Sequence, residues 1–358
     1  MPSRSSVMMR FKLFLLFFSI ILAPLAKGES GTLPQVEVTD VRRVFHNGEH
    51  NAFTDLVRWR DRFWLAFRSC PDGHMVHPSS RIMVLSSADT RTWSEAFQFS
   101  VPLRDTRDPH FLVFKSQLFV YTGTWYSGEK TLPSEEYDLN KHLGYGAWTA
   151  DGSVWQGPRP LEGTYGHYIW RAAAWGGKAY LCARRNAGYA QVRGEGELVE
   201  SAMLQSDDGL IWRYHALFQE NLGDETAFAF DEGGALTAIG RRGRGPAQVI
   251  QSDPPYAHMS SKELGEAVGG PLLARWGGRW VVGGRRHTDE GPRTTLYWMS
   301  NDTLHPFAQL PSDGDNSYPG FVELNPEHAV VSWYSSHEKD TAGAPITAIY
   351  MADLALLK

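Results

Sequence analysis

Apolar and polar positions along this chain alternate in short runs that come in pairs. Residues 56–68 (LVRWRDRFWLAFR), 111–123 (FLVFKSQLFVYTG) and 171–184 (RAAAWGGKAYLCAR) each set two alternating or aromatic-rich runs around a tight polar turn. Residues 227–241 (AFAFDEGGALTAIGR), 272–285 (LLARWGGRWVVGGR) and 321–334 (FVELNPEHAVVSWY) repeat the form. Period-two alternation interrupted by a short turn predicts antiparallel hairpins. The six turns are spaced by about 44 to about 60 residues, enough for one small sheet per unit and too long for a solenoid repeat.

A second pattern recurs between these hairpins. SADTRTW (87–93), TADGSVW (149–155) and SDDGLIW (206–212) share one spacing: a hydroxyl, an Asp two later, a Trp four after that. The Asp is suited to closing a turn on backbone N–H groups, and the Trp to packing between neighbouring sheets. This is a structural clip. Residues 300–306 (SNDTLHP) and 251–256 (QSDPPY) read as worn copies. The clip resembles the Asp-box of sialidases and related BNR-repeat proteins. That resemblance covers roughly residues 36–356 and implies an all-β fold, a six-bladed β-propeller of four-stranded antiparallel blades.

Composition narrows the rest. With 13 Trp, 14 Tyr and 18 Phe in 358 residues the chain can bury a large core, which excludes intrinsic disorder. A net charge of -5 with 21% charged residues provides no basic surface for nucleic acid. Arg4, Arg10 and Lys12 precede an apolar run over residues 13–23, with small residues at Ala26 and Gly28, which predicts a signal peptide over 1–28 and a single domain over 29–358. The mature chain is thus expected to be secreted or periplasmic, free of the membrane, and a monomer. Cys70 and Cys182 are too few for a disulfide framework; two free buried thiols are expected ahead of a pair formed after export.

In a propeller the start of each inner strand and the end of its neighbour meet at one mouth. Arg68, Arg184, Arg185, Arg241, Arg242, Arg285 and Arg286 end second strands, while Arg107, Asp108, His167, Arg171, Asp224, Glu225 and Tyr318 stand at or before inner ones. Guanidinium groups gathered at one opening of an acidic protein point to recognition of an anion. Singly, each is equally well a strand-end arginine paired with a neighbouring carboxylate.

The resemblance implies chemistry at this mouth. Retaining sialidases use a Tyr nucleophile assisted by a Glu, because a neutral phenol is not repelled by the substrate's own carboxylate. Glu225, Arg241 and Tyr318 follow the family's order, with Arg285 and Arg293 both open for the remaining arginine. The first unit departs: the family's Arg-Ile-Pro is replaced by NAFTDL (residues 51–56), so its leading arginine is missing, and Arg68 is the nearest substitute. The general acid belongs in the loop SCPDGHMVHPSS (69–80), where Asp72, His74 and His77 are candidates. RDTRDPHF (104–111) resembles the opening of furanosidase-type propellers, in which Asp108 would sit at the pocket mouth.

These readings predict a glycoside hydrolase acting on an anionic oligosaccharide or polysaccharide. A polysaccharide lyase built on His167 and Tyr168, and a non-catalytic glycan-binding propeller, are the alternatives. No cofactor is implied. Neither His74 with His77 nor His337 with Glu338 has a third metal ligand at recognisable spacing, although Asp313 and Asp315 are turn carboxylates suited to a surface cation.

Overall fold

The computed structural model describes residues 1, 32–191 and 198–357, so the expected signal peptide, apart from Met1, lies outside the described residues. The chain divides into two compact units, Met1–Leu33 and Pro34–Lys358, and everything below concerns the second.

Six four-stranded antiparallel sheets form the six blades of a propeller. The inner strands are His50–Trp59, Arg104–Phe114, Tyr168–Trp175, Thr226–Phe230, Gly269–Trp276 and Asn316–Asn325. Each is joined by a short hairpin to a second strand, in order Arg62–Cys70, Gln117–Tyr126, Lys178–Asn186, Leu236–Arg242, Arg279–Thr288 and His328–Lys339. These are the six hairpins that alternation predicts, and they form because each turn is local and polar while both flanks bury alternate residues. The ring closes through the first strand: Val36–Phe45 pairs with Pro345–Leu356 as the outer strand of the sixth blade. Helical structure among the described residues is confined to short 3-10 turns, and no described helix is long and apolar enough to cross a membrane.

The three hydroxyl-Asp-Trp turns link third to fourth strands and share one hydrogen-bond pattern. Asp89 Oδ1 accepts from the backbone N–H of Arg91 and Thr92 at 2.9 Å each, Asp151 Oδ1 from Ser153 and Val154 at 2.8 and 2.9 Å, and Asp208 Oδ1 from Leu210 and Ile211 at 2.8 and 2.9 Å. Ser87, Thr149 and Ser206 accept from the residue three positions on. Those N–H groups hold the Asp151 carboxyl down at about 2. The Trp side chains do bridge blades. Trp155 stacks on Phe97 of the preceding blade at 4.9 Å between centroids, and buried Trp212 meets Tyr121 edge-on at 5.6 Å. Each such ring removes roughly 150–250 Å² from water. In the worn copy at 251–256 Tyr256 fills the ring position, packed on Phe230 and Tyr180, with its hydroxyl on the Gly234 carbonyl.

Cys70 and Cys182 are buried, free thiols on the second strands of the first and third blades. Burial pushes the Cys182 thiol up to about 11.

Candidate active site

Five of the six inner strands carry a bulge near their start, seen as register shifts between Ala52 and Asp55, Arg107 and His110, Ile169 and Ala172, Gly269 and Leu272, and Ser317 and Gly320. In four of them the extra residue is left-handed: Phe53 (φ 63°), Asp108 (51°), Gly270 (60°) and Tyr318 (51°). Proline follows three of these, as Asp108-Pro109, Gly270-Pro271 and Tyr318-Pro319. A bulge re-aims a side chain, and proline, which has no N–H to give to a ladder, is tolerated there. Left-handed backbone at a non-glycine residue costs on the order of 1–3 kcal/mol, so the packing around Asp108 and Tyr318 holds them in place.

The aimed side chains meet at the axis. Tyr318 donates its hydroxyl to Glu225 Oε1 at 2.5 Å. The other oxygen of Glu225 accepts from Arg241 Nη1 at 2.7 Å and from the Gly270 N–H at 3.1 Å. A Cβ on Gly270 would lie 2.6 Å from the Tyr318 ring, so only glycine allows this approach. Arg241 also reaches Asp224 at 3.3 Å, and Arg184 pairs with the other oxygen of Asp224 at 2.7 Å. Tyr168 gives its hydroxyl to Asp108 Oδ2 and lies under Arg184, 5.2 Å from the ring centroid. Arg285 stands 5.9 Å from the Tyr318 centroid and donates to Tyr334 Oη at 3.0 Å. Gly123, opposite Arg107 in the ladder, lacks a side chain where a Cβ would fall 2.7 Å from Tyr168.

Burial sets the electrostatics of this cluster. It raises the Tyr318 phenol well above its ordinary range, with Glu225 and Asp108 adding to the effect and Arg241 and Arg285 opposing it. Burial, and then the charge of Glu225, push the Asp108 carboxyl up to about 6. Asp108 Oδ1 is buried with no hydrogen-bond partner among the described residues. Asp224 goes the other way: burial would raise it, but Arg184 and Arg241 outweigh that and lower it. The cluster therefore combines a phenol with a carboxylate on its proton, a carboxylic acid that stays protonated into mildly acidic solution, and three arginines with partly exposed side chains.

Several expected site residues lie elsewhere. Arg68 is fully buried, and all three of its guanidinium nitrogens are engaged, by both oxygens of Asp105 and by the carbonyls of Gly73 and Met75. Arg107 shares Asp105 at 2.6 Å and binds the His74 and Met75 carbonyls, so the pair clamps the loop instead of facing the axis. That clamp turns Asp72 outward, where it accepts from Ser79, and tucks His77 against Thr131 at 2.8 Å, so neither expected acid meets the Glu225–Tyr318 pair. The third loop candidate, His74, lies 5.8 Å from the Phe53 ring, which is in turn 4.9 Å from that of Tyr318.

Arg171 crosses the channel floor, bound to Asp55 at 3.0 Å and to the carbonyls of Pro271 and Pro319 at 2.9 Å each; it ties four blades together. Arg293 pairs with Asp313 at 3.0 Å and leaves the central place to Arg285. His167 bonds to the Tyr165 carbonyl at 3.0 Å and lies beside Arg185, and burial lowers it to about 4. A separate cavity of about 550 Å³, lined by residues such as Tyr214, His215, Arg242 and His258, involves none of the central pair. Arg184 is expected only as a rim arginine yet stands in the ring; Gly270 and Tyr334 carry no signal of their own. A proline one residue on marks Asp108, Gly270 and Tyr318 in the sequence, and no such mark accompanies Arg184 or Tyr334.

No known family model matches the sequence, and no curated protein matches it. Among solved structures, a protein of unknown function from Dyadobacter fermentans matches with a TM-score of 0.75 at 19% identity, over 91% of this chain and all of that one. Trypanosoma rangeli sialidase, solved in complex with sialic acid, matches with a TM-score of 0.61 at 12% identity, over 91% of this chain and 59% of its own length. The phage phi92 endosialidase matches with a TM-score of 0.64 at 10% identity, over 89% of this chain and 69% of that one. At these identities the likeness is one of fold, and the chain has the six-bladed propeller architecture found in sialidases.

Proposed function

We propose that this protein is an exported, sialidase-like glycoside hydrolase, exo-acting on a glycan with an anionic terminal sugar: a sialic acid, a uronic acid or a sulfated unit. The observation that carries the reading is the Tyr318 hydroxyl on Glu225 at 2.5 Å, with Arg241 on that carboxylate's other oxygen. Tyr318 Oη attacks the anomeric carbon while its proton passes to Glu225, and the bond to the leaving sugar breaks as Asp108 protonates the departing oxygen. Water then enters by the reverse path. Arg184, Arg241 and Arg285 hold the substrate's anionic group. The sialidase and endosialidase among the structural neighbours support a glycan-directed role.

We assign the general acid to Asp108 in place of the loop at 69–80: its carboxyl is held by the Tyr168 hydroxyl, and burial and the charge of Glu225 raise it. Its raised value of about 6 sets a pH dependence. A general acid must carry its proton, so kcat/KM is expected to fall as pH rises through about 6, and the Asp108→Asn variant, which has no proton to lose, is expected to be slow and to lack that limb. An unchanged profile in the variant assigns the acid to another group.

The Tyr168–Asp108 contact favours a second reading, proton abstraction beside a uronate carboxylate. The two part on their products. Incubation with sialylated, uronate-containing and sulfated glycans, read by mass and ultraviolet absorbance, is expected to give water-added products that do not absorb. An absorbing unsaturated product establishes a lyase, and no product from any glycan leaves a binding protein.

A further inference from the structure

The fold assembles three side chains that the sequence scatters. His50 opens the first inner strand, His74 lies in the clamped loop after the second strand, and Asp315 immediately precedes the sixth inner strand. Their ligand atoms all lie within 4.8 Å of one another. His50 Nε2 and His74 Nδ1 converge on a single oxygen, Asp315 Oδ2, at 2.9 and 2.7 Å.

We propose that His50, His74 and Asp315 bind a divalent transition-metal ion of the zinc type, whose open coordination position receives the substrate's carboxylate. Two imidazoles and one carboxylate form a three-ligand set that leaves a fourth position for water or substrate. Metal-to-nitrogen distances of about 2.0–2.1 Å require the three groups to part only slightly from their present contacts. Nitrogen-rich donors favour zinc, nickel or copper over magnesium or calcium.

The surroundings support ligands already in position. Arg68 and Arg107 fix the carbonyls of Gly73, His74 and Met75, which sets the backbone that carries His74. The other oxygen of Asp315 accepts from Tyr334 Oη at 2.8 Å and from Arg285 at 3.3 Å, the kind of outer partner that orients a ligating carboxylate. Side-chain exposure rises from 10% at His50 through 26% at Asp315 to 48% at His74, so one side opens to solvent. That side borders the candidate pocket: His74 abuts Phe53, and Phe53 abuts Tyr318.

The position also answers the departure in the first blade. NAFTDL holds no arginine, and Arg68 is buried away from the axis, yet His50 stands directly before this segment. A dication with one carboxylate ligand keeps a net positive charge where the resemblance places a guanidinium. This second half of the proposal rests on the anionic-glycan reading above.

The test begins with protein stripped of metal by chelator and dialysed, titrated with zinc ions in a calorimeter. One equivalent is expected to bind, and His74→Ala, at an exposed position that leaves the core intact, is expected to weaken it by about 100-fold or more. Absence of saturable binding, or equal affinity in His74→Ala and His50→Ala proteins that melt like the parent, overturns the site. Glucuronic acid and N-acetylneuraminic acid are then titrated into zinc-loaded and zinc-free protein, with at least about tenfold tighter binding expected when loaded. Equal binding overturns the carboxylate role. Tyr318-dependent turnover in a protein that binds no zinc removes this site and leaves the hydrolase standing; zinc binding without turnover of any glycan does the reverse.

Discussion

Tyr318→Phe is expected to lower turnover of the responsive glycan by about three to four orders of magnitude while the propeller stays folded. The substitution deletes one oxygen and keeps the ring, which packs on Phe53, Trp170 and Tyr334. It leaves Glu225 Oε1 without the hydroxyl, but Oε2 keeps Arg241 and the Gly270 N–H, so the stability loss is expected to be only about 1 kcal/mol. Glu225→Gln is expected to be milder, about two to three orders, because the phenol keeps a partner but not one that accepts its proton. The double variant should be no worse than Tyr318→Phe alone, since the two act as one unit. Steady-state kinetics with circular-dichroism melts checks all three. A Tyr318→Phe protein retaining more than a tenth of parental turnover removes the nucleophile from the mechanism.

The largest stability effect is expected at Asp105, which touches none of the proposed reacting groups. Its fully buried carboxylate joins Arg68 at 3.0 and 2.9 Å, Arg107 at 2.6 Å and the His77 N–H at 2.9 Å. Asp105→Ala leaves two buried guanidinium groups without their counter-charge, a change of about 3–5 kcal/mol. Urea unfolding reads it directly, and a loss under about 1 kcal/mol contradicts the clamp. Burial alone would raise this carboxyl, but Arg107 and Arg68 outweigh it and hold it at about 2. A folded value below the unfolded one of about 4 means the stabilisation is complete above pH 4 and lost as pH falls toward 2, on the order of 2 kcal/mol in all. Asp105→Asn should remove that acid limb. Either variant frees the 73–75 backbone and is also expected to loosen His74.

The hairpins and clips were legible because their causes are local. A turn, its alternating flanks, and an Asp accepting from N–H groups two and three residues on all lie within one short window. The arginines at second-strand ends were legible for a related reason: antiparallel pairing sets Arg184 opposite Tyr168 and Arg285 opposite Gly269, so they share a mouth with the inner-strand starts. Asp108 and Tyr318 could be placed at that mouth, though their left-handed backbone appears in the sequence only as a recurring proline one residue on.

Which arginine faces the axis was not legible. Arg68, Arg171, Arg184 and Arg285 all sit on first or second strands near one end, yet two face the centre and two are consumed by structure. The difference lies with partners supplied by other blades: Asp105 from the second blade for Arg68; Asp55, Pro271 and Pro319 from the first, fifth and sixth for Arg171. The same holds for the loop at 69–80, where the arginine clamp presents His74 and turns Asp72 and His77 aside.

Taken alone, then, the amino-acid order determined six hairpins, their repeat and the mouth at which charged residues collect, because hydrogen bonding and burial along a strand depend on near neighbours. Only the closed ring decided which of those charges are neutralised in the wall and which remain at the axis, because a long guanidinium or imidazole side chain settles on whatever carboxylate or carbonyl the adjacent blades bring within reach.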